Sequence, residues 1–316
     1  MLCETPTLFF NQAGHKDVFS EMAQTALEPK DYSGLQARRQ ALDAYWQQGV
    51  SGNALLRKHS DFIDHHLAES FKKSAPAAEG FALVALGGYG RQELYPFSDI
   101  DLMILYDPAH KDELNSLVET ILYPLWDTGL EVGHAVRTPD ECMAFAAEDF
   151  FFRVAMLDAR LLVGSATLFG KLTEMYKTAY IEGKRQEFLD DMLKQRTKRE
   201  CHYGRHTYLL EPHIKEGCGG FRDIQSMVWT AHVVFGLKDL ESLNEAGLLS
   251  QEELNRFEQA QDYLIRIRNR LHYVSGRKND QLFFEHQKEL AQAFGFKNKE
   301  ELLGVEHFMR EVYAHM

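Results

Sequence analysis

The chain has 316 residues, with 35 lysines and arginines against 47 aspartates and glutamates, a formal net charge of −12 and an apolar fraction of 45%. That length suits about two domains and that composition a soluble globular chain with a real core. No apolar run approaches the ~18 residues of a membrane span, the start MLCETPTLFFNQ lacks the basic region of a secretion signal, and the acidic balance opposes sequence-independent binding to duplex DNA.

Four cysteines (Cys3, Cys142, Cys201, Cys218) are scattered with no C-x-x-C pair, against a disulfide framework or zinc site. The expected address is the cytoplasm, with neither nucleic acid nor membrane as partner.

In chain order, residues 17–76 read as helices. Leu35, Leu42 and Trp46 recur at helical spacing, as do Leu55, Phe62, Leu67 and Phe71, with a break at Ser51-Gly52-Asn53. A small-residue seam, 74–80, precedes a change of pattern. Phe81 to Leu86 is a continuous apolar run closed by Gly87-Gly88, as in a buried strand. Asp99 to Tyr106 is a second strand, 110–127 a helix, and Leu130 to Arg137 a third strand ending at Thr138-Pro139. Everything after about 139 reads as helical, with pieces at 186–203, 222–236, 251–275 and 298–314 and a glycine-rich loop at Gly217–Gly220. The predicted class is α+β: a small sheet flanked by helices, with helices before it and an all-α part after it. Predicted domain bounds are 1–78, 79–165 and 166–316.

The stretch that carries chemistry is GGYGRQELYPFSDIDLMIL, residues 87–105. Side chains alternate along a strand, so Asp99 and Asp101 point the same way, about 6.5–7 Å apart. Two like charges beside Ile100, Leu102 and Ile104 need a counter-charge. Magnesium suits them, since it takes carboxylate and phosphate oxygens and keeps several waters. Glycines allow backbone N–H groups close to a phosphate, and Arg91 is placed to neutralise a phosphate oxygen. Together these parts describe metal-assisted attack on a nucleoside triphosphate. The bland alternative is a solvated strand start. A dinucleotide fingerprint fails because Glu93 stands at the third glycine position, and no P-loop, H-E-x-x-H or G-x-S-x-G is present.

Gly-Gly followed by Asp-x-Asp is the pattern of the polymerase-β-like nucleotidyltransferase fold, and the longer form here closely resembles the bacterial PII uridylyltransferase/uridylyl-removing enzymes. LEVGHAVRT (130–138) and LEPHIKEGCGGFRDI (210–224) extend the resemblance over most of the chain. The departures are Cys218, where the family usually has proline, and His213, where it commonly has aspartate or asparagine. The resemblance implies Mg²⁺-dependent transfer of UMP from UTP to a tyrosine hydroxyl of the signalling protein PII, releasing pyrophosphate. Alternatives are a related transferase using another nucleotide or acceptor, and a silent module that binds nucleotide or PII. The family's His-Asp phosphohydrolase and ACT domains are not recognisable here, so the expectation is the amino-terminal transferase portion of a longer polypeptide.

By that resemblance Asp99 and Asp101 share the metal ions, and a third carboxylate comes from a neighbouring strand. Glu131, on the face of Gly133 and Ala135, is the candidate; the alternative is an exposed strand glutamate. Gly87 and Gly88 would hold the β- and γ-phosphates, assisted by Arg91 and Ser98. Lys215, Gly219, Gly220 and Arg222 would reach the nucleotide from a helix start, unless the glycines are only a turn capped by Asp223. The basic stretch Lys194–Arg205 is expected to be mostly a solvated helix face, Arg266 and Arg270 to be in ordinary ion pairs, His202 and His206 to be structural, and His134 to face the core.

Overall fold

The computed structural model describes residues 35–74, 78–127, 131–206, 208–299 and 302–316. The part of the expected helices before residue 35, residues 75–77 of the small-residue seam and Leu130 of the expected third strand lie outside them. All described residues fall in one compact unit, 34–316. No helix among them is long and apolar enough to cross a membrane.

Helices α1 (Leu35–Gln47) and α2 (Gly52–Ser74) precede the sheet. Gly52 starts α2 because any side chain there would collide with Ile265, 2.6 Å away. Next come β1 (Phe81–Ala85), a helical turn at Gly87–Gly90, β2 (Ile100–Tyr106), α3 (Leu114–Asp127) and β3 (Val132–Arg137). The chain continues through α4 (Pro139–Glu148), α5 (Phe150–Leu157) and β4 (Arg160–Gly164). Thr138 caps α4 in a capping box with Glu141, and Asp149 caps α5, which fixes these short helices after the sheet.

The sheet order is β3-β2-β1-β4. β1 is antiparallel to β2 and β4, while β2 and β3 run parallel with Ile100 opposite Val132 and Asp101 opposite Gly133. β1 is buried throughout because both sheet faces are covered, which is why it reads as an unbroken apolar run. One face packs Leu83, Ile100, Leu102 and Ile104 against α2 and α3; the other packs Val84, Met103 and Leu105 against Cys142, Met156, Leu168 and Leu172. Asp101 lies on that second face, at the strand end beyond its apolar cover.

β4 corrects the expectation that everything after 139 is helical. Ala82 pairs with Gly164 and Ala85 with Arg160; a five-residue strand set between helices carries no period of its own, and its identity comes from a partner some eighty residues earlier. His134 is also corrected. It pairs with Leu102 but sits on the edge strand, exposed, with Trp126 edge-on at 5.7 Å.

The remainder is helical: α6 (Ala166–Tyr180), α7 (Arg185–Tyr203), α8 (Phe221–Phe235), α9 (Leu240–Glu245), α10 (Gln251–Ser275), α11 (Phe284–Ala293) and α12 (Gly304–His315). Ile214, Phe221, Leu264, Leu271, Leu282 and Phe308 build its core, and Tyr95 from the loop before β2 inserts into it. That insertion joins the sheet to the helices at the site described next.

Candidate active site

The turn after β1 is shaped by glycine. Leu86 N–H donates to Asp101 O at 3.0 Å, extending the ladder by one residue. Gly87 then turns the chain with φ +51°, a left-handed conformation that disfavours side chains. Gly90 N–H donates to Leu86 O and Arg91 N–H to Gly87 O, closing the helical turn. The amides of Gly87, Gly88 and Tyr89 open that turn and have no acceptor within it. Gly90 is required by packing, since a Cβ there would lie 2.0 Å from Asp158 O.

Asp99, Asp101, Gly87, Gly88, Arg91 and Ser98 line one wall of a cleft of about 660 Å³. The Asp101 carboxylate lies between two glycines: a Cβ on Gly87 would be 3.5 Å from one of its oxygens and a Cβ on Gly133 2.9 Å from the other. Loss of surrounding water, then the charge of Asp99, holds Asp101 above the ordinary carboxylate range. Burial would also raise Asp99, but its ion pair with Lys278 outweighs it and holds Asp99 low. Glu131, exposed just ahead of β3, is raised by the neighbouring Asp99 carboxylate and is not among the residues that line the cleft. Its backbone carbonyl accepts from Ile100 N–H at 2.9 Å, which fixes it beside Asp99.

Arg91 is already occupied. It donates to Glu93 at 2.7 Å and to Asp158 at 2.5 Å, and its guanidinium stands over the Trp229 ring. Trp229 Nε1 donates to the same Asp158 carboxylate at 3.0 Å. Arg91 thus ties the glycine turn to α5 and α8, with its charge balanced by two acids.

The opposite wall comes from the helical part. Lys215 lines the cleft without an ion pair among the described residues, and burial, with Arg268 and Arg222 nearby, pushes its ammonium down to about 8. Arg222 also lines the cleft but is paired to Glu216 at 2.9 Å. Arg268 is locked to Asp280 at 2.6 Å and stacks 3.9 Å from the Tyr95 ring centre. Lys278 reaches across to pair with Asp99 Oδ2.

Gly219 and Gly220 do not line the cleft. Gly219 N–H donates to Asp223 Oδ2 at 2.7 Å, Gly220 N–H to Gly217 O at 3.0 Å, and Arg222 N–H to Lys215 O at 2.8 Å. These amides are spent inside the turn that aims Lys215 and Arg222, which is the alternative that the sequence left open. A Cβ on Gly219 would strike Met316 O. The basic stretch on α7 is nearer the site than expected: Arg196, Lys198, Arg199 and His202 line the cleft, with Arg199 paired to Asp223. Of the two arginines expected in ordinary ion pairs, Arg270 pairs with Asp43 at 2.8 Å, whereas Arg266 has no ion pair among the described residues and stands over the Trp46 and Phe294 rings. Asp158, Trp229, Arg268 and Lys278 carried no local signal, because each reaches the cleft through contacts distant in sequence.

The donor set suits a hard cation. Asp99 Oδ1 is buried without a hydrogen-bond partner, and Oδ2 holds a cationic ammonium. Among the described residues no three acidic, histidine or cysteine side chains form a ready-made metal cage. Magnesium needs none, since one or two carboxylates and substrate phosphates normally hold it.

Residues 187–316 match the family model described as GlnD PII-uridylyltransferase, and residues 66–161 match that of the nucleotidyltransferase domain. The chain is 37% identical over 253 residues to the bifunctional uridylyltransferase/uridylyl-removing enzyme of Phenylobacterium zucineum, a match covering 80% of this chain and 27% of that one. Its counterpart in Azospirillum brasilense is 34% identical, covering 88% of this chain and 30% of the relative. That of Cereibacter sphaeroides is 39% identical, covering 75% and 26%. The chain therefore spans less than a third of the length of these relatives.

Proposed function

We propose that this chain, a nucleotidyltransferase domain over 66–161 and a member of the PII-uridylyltransferase family over 187–316, moves UMP from UTP to a tyrosine hydroxyl of PII and releases pyrophosphate. The observation that carries the reading is the placement of Asp99 and Asp101 in one cleft against Gly87 and Gly88.

Gly87 and Gly88 bring backbone N–H groups to the β- and γ-phosphates, where a side chain would stand in the way. Lys215 faces the same space with an uncommitted ammonium and gives the triphosphate a point charge. Arg91, already balanced by Glu93 and Asp158, holds the glycine turn in shape and offers only its remaining N–H capacity to phosphate. Ser98 stands at the mouth of β2, where its hydroxyl reaches the same oxygens. Asp99 and Asp101, with Glu131 beside them, would hold Mg²⁺, which when bound shields phosphate charge and favours loss of the tyrosine proton. Glu131 is the carboxylate nearest the solvent side and takes that proton; a phenol of pKa about 10 does not lose it unaided at neutral pH.

The test supplies UTP, ATP, CTP and GTP, each labelled at the α-phosphate, with PII and Mg²⁺. Label from UTP on a PII tyrosine, lost in Asp99→Asn, is expected. Label from another nucleotide alone, or unchanged labelling by Asp99→Asn, would refute the reading.

A further inference from the structure

Lys278 has no part in the sequence pattern, yet it pairs with a carboxylate at the centre of the site. It lies between α10 and α11 on a segment held at several points. Asp280 accepts from Arg268 Nε at 2.6 Å and Nη2 at 3.2 Å. The Asp280 carbonyl accepts from Ile214 N–H at 2.8 Å, and Gln281 bridges to His213. A fixed backbone therefore delivers this ammonium, and the same anchors set the loop that carries Lys215.

The Lys278 ammonium sits on Asp99 Oδ2 while Oδ1 of that carboxylate is buried and unpartnered. A hard divalent cation binds carboxylate oxygen at about 2.0–2.1 Å and would stand beside the ammonium with like charge. The two cannot share Asp99 without repulsion. The pair is part-exposed, 40% for Lys278 and 33% for Asp99, and pairs of that kind are weak enough to be exchanged.

We propose that Lys278 competes with the divalent cation for Asp99 and, once displaced, takes a phosphate oxygen of the nucleotide in the same cleft. This rests on the reading of Asp99 and Asp101 as metal-holding acids. Its consequence is thermodynamic coupling. With no nucleotide, the cation must displace Lys278; with a triphosphate present, the ammonium has a second anionic partner, so each ligand tightens the other reciprocally.

The experiment measures Mn²⁺ binding to the intact chain by electron paramagnetic resonance, with and without a non-hydrolysable UTP analogue. Wild type, Lys278→Ala, Lys278→Arg and Asp101→Asn are compared, and thermal melts verify folding. Without nucleotide, Lys278→Ala should bind Mn²⁺ about five- to tenfold more tightly than wild type, and Lys278→Arg should match wild type. The gain in Mn²⁺ affinity on adding the analogue should be smaller in Lys278→Ala than in wild type. If Mn²⁺ binding depends on Asp101 but Lys278→Ala binds equally or more weakly, the competition is refuted and the metal reading stands. If Asp101→Asn leaves Mn²⁺ binding unchanged, both fall together.

Discussion

Asp101 stands in register with Gly133 of the neighbouring parallel strand, and the missing side chain of Gly133 makes the space that the Asp101 carboxylate fills. A Cβ at position 133 would lie 2.9 Å from Asp101 Oδ1. Gly133 is therefore a determinant of where the acid points. Its substitution should separate activity from stability, because β3 is an edge strand and position 133 is exposed. Gly133→Val should lower UMP transfer at least about tenfold, the order of effect of a 1 Å misplacement in an active site, with a melting temperature equal to or above wild type. Parallel transfer and melting measurements check this; full activity would mean that Asp101 tolerates displacement.

Asp101 itself should show the cost of holding an acid ready for a cation. Its carboxyl is held above the ordinary range, so the folded state disfavours the ionised form more than the unfolded state does. Asp101→Asn should reduce transfer by about a hundredfold or more and yet melt no lower than wild type at pH 7. The advantage of the variant should vanish as pH falls below the carboxylate range, where Asp101 is protonated in both states. A variant that unfolds would instead make the residue structural.

Lys215 allows a pH test. Its ordinary value of 10.5 falls to about 8, first by burial and then by the charges of Arg268 and Arg222. Between those values the unfolded chain holds a proton that the folded chain has released, so this residue makes stability rise with pH across that window. Below about 8 the folded protein carries a disfavoured charge. Lys215→Met should therefore stabilise the protein by roughly 1–3 kcal/mol at pH 7, a gain that shrinks as pH rises past 8. Nucleotide affinity should fall in the same variant. Urea unfolding at several pH values, with nucleotide titrations, measures both.

The Arg268–Asp280 pair should behave as a buried one. Burial would raise the Asp280 carboxyl, but Arg268 and His272 hold it far below the ordinary range. Asp280→Asn leaves Arg268 uncompensated and should cost about 3–5 kcal/mol. Arg268→Met combined with Asp280→Leu should recover much of that loss, because replacing both partners removes the orphaned charge. Equal losses in the single and double variants would point to backbone disruption around Ile214 instead.

Much of this architecture was legible where chemistry is local. The apolar run 81–86 and the helical periods at 186–203, 222–236 and 251–275 correspond to β1, α7, α8 and α10 within a residue or two. The glycine turn and the alternation of Asp99 and Asp101 follow from backbone geometry alone, and the structure puts both acids in one cleft. What escaped was set by distant pairing. β4 is a strand only because β1 presents an open edge to it, and His134 is exposed only because β3 ends the sheet. Lys278 meets Asp99 across 179 positions of sequence. The Gly219–Gly220 turn was ambiguous until its amides could be traced to Asp223 and Gly217.

The central claim is that Asp99 and Asp101 work together on a triphosphate seated against Gly87 and Gly88. Pyrophosphate release from UTP by the purified chain tests it most directly, measured with Mg²⁺ and PII each present or omitted. The account predicts release only when both are present, and none from folded Asp99→Asn or Asp101→Asn. Release that persists in either variant, or that needs no divalent cation, would contradict it.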